Sequence, residues 1–263
     1  MRKIHRKPHR MKRKESIVRK PIFWWCALIL VLIGAGIYVF IFLKTFQVSS
    51  VSIVGNIKVQ TRDIEALVSE RTDRRFLFLA SRSIFLVNSK GITAEILKQY
   101  PAIDSLKIQK KLPSSLIINI LERKPLAVFC DSKEACFFID DKGIAFEQVE
   151  STIGGFAIVR HNSGSSIALG GEAVKGDIAR VISKIQQDLQ GKFQINIDEA
   201  NIVSNERLNV KTSEGWEVYF DLTADIDLPV EKMNLLLEKE IPQESRAELQ
   251  YIDLRFKDRA YYK

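Results

Sequence analysis

From Pro21 to Leu43 the chain reads PIFWWCALILVLIGAGIYVFIFL, a run without one charged side chain. No other feature narrows the architecture so sharply. As a helix, residues 22–43 would rise roughly 33 Å at about 1.5 Å per residue, against a bilayer hydrocarbon core of about 30 Å. Fourteen of these positions are Leu, Ile, Val or Phe, which together favour insertion by about 4 to 8 kcal/mol. Gly34, Gly36 and Pro21 offset part of that, and Trp24, Trp25 and Tyr38 suit the two membrane interfaces. A cleaved signal peptide is the competing reading. Its apolar region should run about 7–15 residues and end at a small-x-small site. This run is longer, and the LKTFQVSS that follows offers no such site. The expectation is an uncleaved membrane helix over residues 22–43.

The flanks set its orientation. Residues 1–20 carry ten Lys/Arg against the single acid Glu15, or +9; since the whole chain carries +8, the remainder sums to −1. The twenty residues after the span carry three: Lys44, Lys58 and Arg62. This bias predicts a cytoplasmic basic tail at 1–21 and puts residues 44–263 on the far side of the membrane. The tail suits anionic lipid headgroups. It has no aromatic or motif support for a nucleic-acid arm, so no nucleic-acid partner is expected. His5 and His9 in this tail are expected to be solvated.

Beyond the span, FQVSSVSIVG (Phe46–Gly55) alternates like a strand and ends in a Gly-Asn turn. TRDIEALVSER (Thr61–Arg71) reads as a helix, with Thr61 capping and Ile64, Leu67 and Val68 on one face. An apolar stretch without clear period follows. GITAEILKQY (Gly91–Tyr100) predicts a second helix, stopped by Pro101. Two strands, Ile103–Lys110 and Leu116–Arg123, close a β-α-α-β-β unit around a turn at Leu112-Pro113-Ser114. These residues carry a resemblance. SVSIVGN (Ser50–Asn56), KKLPSSLIINILERKPLA (Lys110–Ala127), DDKGIAF (Asp140–Phe146) and YIDLR (Tyr251–Arg255) occur in an order that resembles the FtsQ/DivIB family of bacterial cell-division proteins. The resemblance covers residues 22–263 and implies a polypeptide-transport-associated (POTRA) domain at 46–124. RRFLFLASRS (Arg74–Ser83) departs from it as an insertion, and Ser151–Gly171 matches poorly.

Residues 125–263 predict a second, α+β domain: a curved sheet with two helices, at Asp177–Gln190 and Leu228–Ile241. The first helix has its apolar residues at helical spacing, and Gly191 is expected to end it. PLAVFC and CFFID read as a hairpin around DSKEA, so that Cys130 and Cys136 face each other. A disulfide suits that geometry on the oxidising side of a membrane; two reduced thiols are the alternative. Two thiols without a nearby His are too few ligands for zinc, so no metal is expected. Cys26 lies in the span and reads as packing.

Chemistry-bearing patterns are missing. The one His beyond the tail is His161, in a Gly/Ser-rich segment, and there is no Gly-x-Ser-x-Gly elbow or phosphate-binding Gly loop. Asp140, Asp141, Asp225 and Asp227 flank element ends, where turns and caps account for them. No catalytic residue, cofactor or small-molecule substrate is expected. The last residues, YIDLRFKDRAYYK, alternate from Tyr251, with Ile252, Leu254 and Phe256 on one face. A strand at a sheet edge is a template for another chain. The resemblance implies that short bitopic division proteins of the FtsB/DivIC and FtsL type dock there, around Arg255, Phe256, Lys257, Asp258, Ala260, Tyr261 and Tyr262. The expected function is thus a single-pass scaffold of the divisome, placed at the septum with other division proteins. The alternatives are a membrane-anchored cell-wall enzyme, which would need His161 and a carboxylate to share a cleft, and a POTRA-type export or assembly factor, which would need tandem POTRA units or a barrel.

Overall fold

A computed structural model of the chain describes residues 20–76, 79–150, 154–161, 167–223 and 225–263, with the backbone alone at 74–76, 79 and 80. The basic tail, apart from Lys20, lies outside the described residues. The first element, α1 (Pro21–Phe42), starts with Pro at its first turn, where the missing N–H costs nothing. Its side chains are apolar all round and, except for Ile41, not buried by protein. In its most apolar window only 6% is covered. A helix of this kind is stable only with lipid as its solvent, and the chain is a single-pass membrane protein.

The described chain forms two compact units. One takes the span and the residues up to Ser52, together with Glu65–Ser89 and Gln109–Ile117; the other takes Ile53–Ile64, Lys90–Ile108 and Ile118–Lys263. After the span come β1 (Ser50–Val54), α2 (Thr61–Thr72), β2 (Arg74–Phe76), β3 (Leu79–Ser81), α3 (Ser89–Gln99), β4 (Ile103–Lys111) and β5 (Ser115–Glu122). The three-stranded sheet runs β1-β5-β4. The expected period of two is clear in β5, where Leu116, Ile118 and Ile120 are buried; Ile64 and Val68 of α2 and Ile92 and Ile96 of α3 are buried too. The apolar stretch after α2 is not irregular. It folds as an antiparallel hairpin, with Arg74 opposite Ser81 and Phe76 opposite Leu79. A continuous apolar run has neither a two-residue nor a 3.6-residue period, so only cross-strand pairing could assign it.

The second unit contains a nine-stranded sheet ordered β14-β13-β12-β11-β10-β9-β6-β7-β8. Its strands are β6 (Ala127–Cys130), β7 (Cys136–Ile139), β8 (Ala145–Val149), β9 (Ile158–His161), β10 (Ile197–Ser204), β11 (Arg207–Thr212), β12 (Glu217–Asp221), β13 (Tyr251–Asp253) and β14 (Tyr261–Tyr262). Two helices, α4 (Gly176–Asp188) and α5 (Asp227–Lys239), connect β9 to its parallel neighbour β10 and β12 to its parallel neighbour β13. Such crossovers are right-handed. Both step the same way along the sheet between strands of the same direction, so both helices fall on one face. There Ile178, Ile182 and Ile185 of α4 share a core with Val230, Met233 and Leu237 of α5 and the inner positions of β10–β12.

The other face of the sheet is covered only in part. β6 and β7 are buried at every position, because a smaller cluster of Val128, Cys130, Cys136, Phe138 and Phe146, joined by Ala102, covers their far side. β11 and β12 alternate between buried and half-buried or exposed positions. Gly191 does not end α4. The helix widens into a π turn over Leu189–Phe193 and stops at Gln194, whose φ is 60°. The wider turn lets both Leu189 and Phe193 reach the same core.

Candidate partner-binding edge

The expected terminal strand is broken. β13 ends at Asp253, and one more ladder bond follows it, from Leu254 N–H to Tyr219 C=O at 3.0 Å. The cause is the spacing Asp-x-Arg. Arg255 N–H donates to Asp253 Oδ1 at 3.2 Å, and its guanidinium clasps the same carboxylate through Nε (2.8 Å) and Nη2 (2.5 Å). This clasp turns the backbone off the sheet. The Arg255 hydrogen bond, against the opposing effect of burial, holds the Asp253 carboxyl below its usual range. The chain then bends through residues 256–258 and returns, so that Tyr261 and Tyr262 pair antiparallel with Asp253 and Ile252. Lys263 N–H donates to Tyr251 C=O at 3.2 Å and closes the return.

Among the described residues no strand lies on the outer side of β14. Phe256 does not join Ile252 and Leu254 in the core, as the alternation predicted; it is 46% exposed, with Tyr261 45% and Tyr262 49%. The Phe256 and Tyr261 rings meet edge to face at 5.2 Å. Lys257 and Asp258 are exposed, and half-buried Ala260 packs on the core. The seven residues read from the sequence thus share one bend and its return strand, although Arg255 spends its charge on Asp253.

Sequence reasoning missed the wall beside them. Lys232 of α5 donates to the carbonyls of Phe256 (3.2 Å) and Lys257, and so pins the bend to the helix. A cavity of about 290 Å³ opens between Leu228, Pro229, Lys232, Leu254 and Phe256. Leu228 and Leu235, two turns apart on α5, are exposed. The only sequence signal for them was an apolar residue on the helix outside its buried stripe. On the open face of the sheet, Tyr219 stacks on Tyr251 at 5.7 Å, with the guanidinium groups of Arg207 and Arg255 over its ring at 5.2 and 5.6 Å.

His161 does share a cavity, of about 420 Å³, with Asp131, Ser132 and Glu172. Both carboxylates there serve the backbone. Asp131 Oδ1 accepts the N–H groups of Lys133 and Ala135 at 2.8 and 2.9 Å, and Glu172 accepts Gly176 N–H at 3.3 Å. Among the described residues no cluster of His, Cys, Asp or Glu could hold a metal ion.

A membrane span, a β-α-α-β-β unit and a large α+β sheet with an exposed terminal edge define a membrane-anchored POTRA protein. Residues 46–123 match the family model described as POTRA domain, FtsQ-type, and residues 131–255 match that of cell division protein FtsQ/DivIB, C-terminal. No curated protein matches the chain. The chain belongs to the FtsQ/DivIB family of cell-division proteins, a family of scaffold type that takes part in septation as a component of the divisome.

Proposed function

We propose that this chain is a non-enzymatic scaffold that captures bitopic division proteins of the FtsB/DivIC and FtsL type on the outer edge of β14. The observation that carries the reading is the pairing of a free main-chain edge with three exposed aromatic rings. Strand addition draws affinity from main-chain hydrogen bonds and specificity from alternate side chains. β14 has only two residues, so the rings and the exposed leucines of α5 must supply much of the binding. Aromatic anchors of this kind commonly cost 2 kcal/mol or more when truncated, roughly 30-fold in affinity. A pull-down of the division complex with the double variant Tyr261→Ala/Tyr262→Ala should lose the partners. Retention at the native level would refute the edge as the docking site.

The charge bias about the span supports a cytoplasmic N-terminus with residues 44–263 outside, and membership of a cell-division family supports a place at the septum. Cysteine-accessibility labelling from either side of the membrane and a fluorescent fusion in dividing cells test the two halves of that reading. The cavity at His161 supports a second, enzymatic reading. It requires that His161→Ala abolish division; a variant that still divides normally removes it.

A further inference from the structure

Within the membrane-proximal unit, the end of α1 is not left to water. The last carbonyls of a helix have no partner of their own. Here Ser81 Oγ and Gln47 Nε2 both donate to Ile41 C=O at 2.7 Å, and Ser83 Oγ donates to Phe40 C=O at 2.8 Å. Two backbone bonds, Val48 N–H to Arg82 C=O (3.0 Å) and Ile84 N–H to Phe46 C=O (2.9 Å), hold residues 81–84 beside the 3-10 turn Lys44–Phe46 and the residues after it. The segment therefore runs along the last turn of the span. Ile84 is fully buried, and Phe85, next along the turn, is 45% exposed. Its ring lies 5.4 Å from Phe40 and 5.4 Å from Phe46, which are 5.3 Å from each other.

Depth follows from these contacts. Phe40 is a residue of the span, two positions before its end, so about 3 Å inside it at 1.5 Å per residue. A ring packed on Phe40 sits at the same level, one ring width aside. The span of 22 residues is roughly 33 Å long, against about 30 Å of hydrocarbon, so that level is the boundary between acyl chains and headgroups. Irregular backbone is tolerated at this depth only where its polar groups are paired; besides the two backbone bonds above, Arg82 N–H donates to Gln47 Oε1 at 2.6 Å and Ser83 N–H to Ser81 Oγ at 3.2 Å.

We propose that Ser81–Phe85 is a second membrane contact: a foot whose Phe85 ring inserts into the lipid at the acyl–headgroup boundary and fixes this unit against the bilayer, so that it does not swing on a tether. The occupant is the lipid itself. The inference rests on α1 spanning the membrane, and the experiment separates the two. The full chain with Cys26→Ala is reconstituted in phosphatidylethanolamine–phosphatidylglycerol vesicles, and nitroxide labels are attached singly at positions 32, 85 and 256. Collisions with dissolved oxygen are compared with collisions with a water-soluble nickel chelate. The label at 85 should favour oxygen several-fold more than the label at 256, and approach the value at 32. If 85 behaves like 256 while 32 is lipid-immersed, the foot is refuted; if 32 is also aqueous, the span is refuted and the foot with it. A benzophenone amino acid in place of Phe85 keeps an aromatic ring and gives an independent reading. Irradiation should yield a lipid adduct by mass, and adducts to protein alone would overturn the proposal.

Discussion

Glu122 and Arg123, adjacent in sequence, work in opposite directions. Glu122 accepts the N–H groups of Ile57 (2.8 Å), Lys58 (3.0 Å) and Val59 (3.0 Å). Burial opposes its ionisation, but these three donors and the Lys58 charge outweigh it and leave the carboxyl below its ordinary value. A carboxyl depressed in the folded state contributes stability above its unfolded pKa and loses it as pH falls through the folded one. Glu122→Gln should therefore flatten the fall in stability on acidification from about pH 5 downward, measured by urea midpoints across that range. Arg123 reaches the other way, to Pro101 C=O (2.9 Å), Asp104 (3.2 Å) and Asp140. The Asp140 side chain is only 3% exposed. Arg123→Ala would strand that charge at a cost of about 3 kcal/mol, the lower end of the range because Lys142 and Ile144 N–H still bond it. Lys142→Ala removes only an exposed pair with Asp104 and should cost under about 1 kcal/mol. Chemical denaturation of both variants would order them.

At the level of elements, most of the chain was legible because most of its signals are local. The 3.6-residue stripes of α2, α3, α4 and α5 and the alternation of β5, β11 and β12 need only neighbouring residues to be seen. The exceptions have nameable causes. The β2–β3 hairpin lacks a period, the π turn answers to a core that the helix itself cannot specify, and β13 stops because Arg255 turns back on Asp253. The hairpin of β6 and β7 carries its own test. Cys130 and Cys136 are directly opposed, with their Sγ atoms joined at 2.02 Å. Closing so short a loop should stabilise by about 2 kcal/mol. Mass spectrometry after alkylation without reductant should show both thiols blocked, and Cys130→Ser/Cys136→Ser should lower the unfolding midpoint by that amount.

For the whole molecule, the sheet has two ends. β8 sits at one, where Lys58 pairs with Glu147 at 2.5 Å. β14 sits at the other, with Tyr261 and Tyr262 exposed, and an edge strand of this kind is a template for another chain. Removing residues 258–263 should abolish partner capture while the far-UV circular dichroism stays near that of the full chain, since β14 contributes two residues to a nine-stranded sheet. Loss of the fold, or unchanged capture, would count against the edge.

The amino-acid sequence by itself determined the span, the order and kind of most elements, and the terminal segment as the region to watch. Each of these depends on hydrophobicity and period, which act over one or two turns of chain. Tertiary structure alone decided the order of the nine strands, the return of Tyr261 and Tyr262 along β13, the recruitment of Leu228, Lys232 and Leu235 to that edge, and the seating of Phe85 on the end of the span. These are pairings between residues far apart in the chain, and their energy exists only once the chain has closed around them.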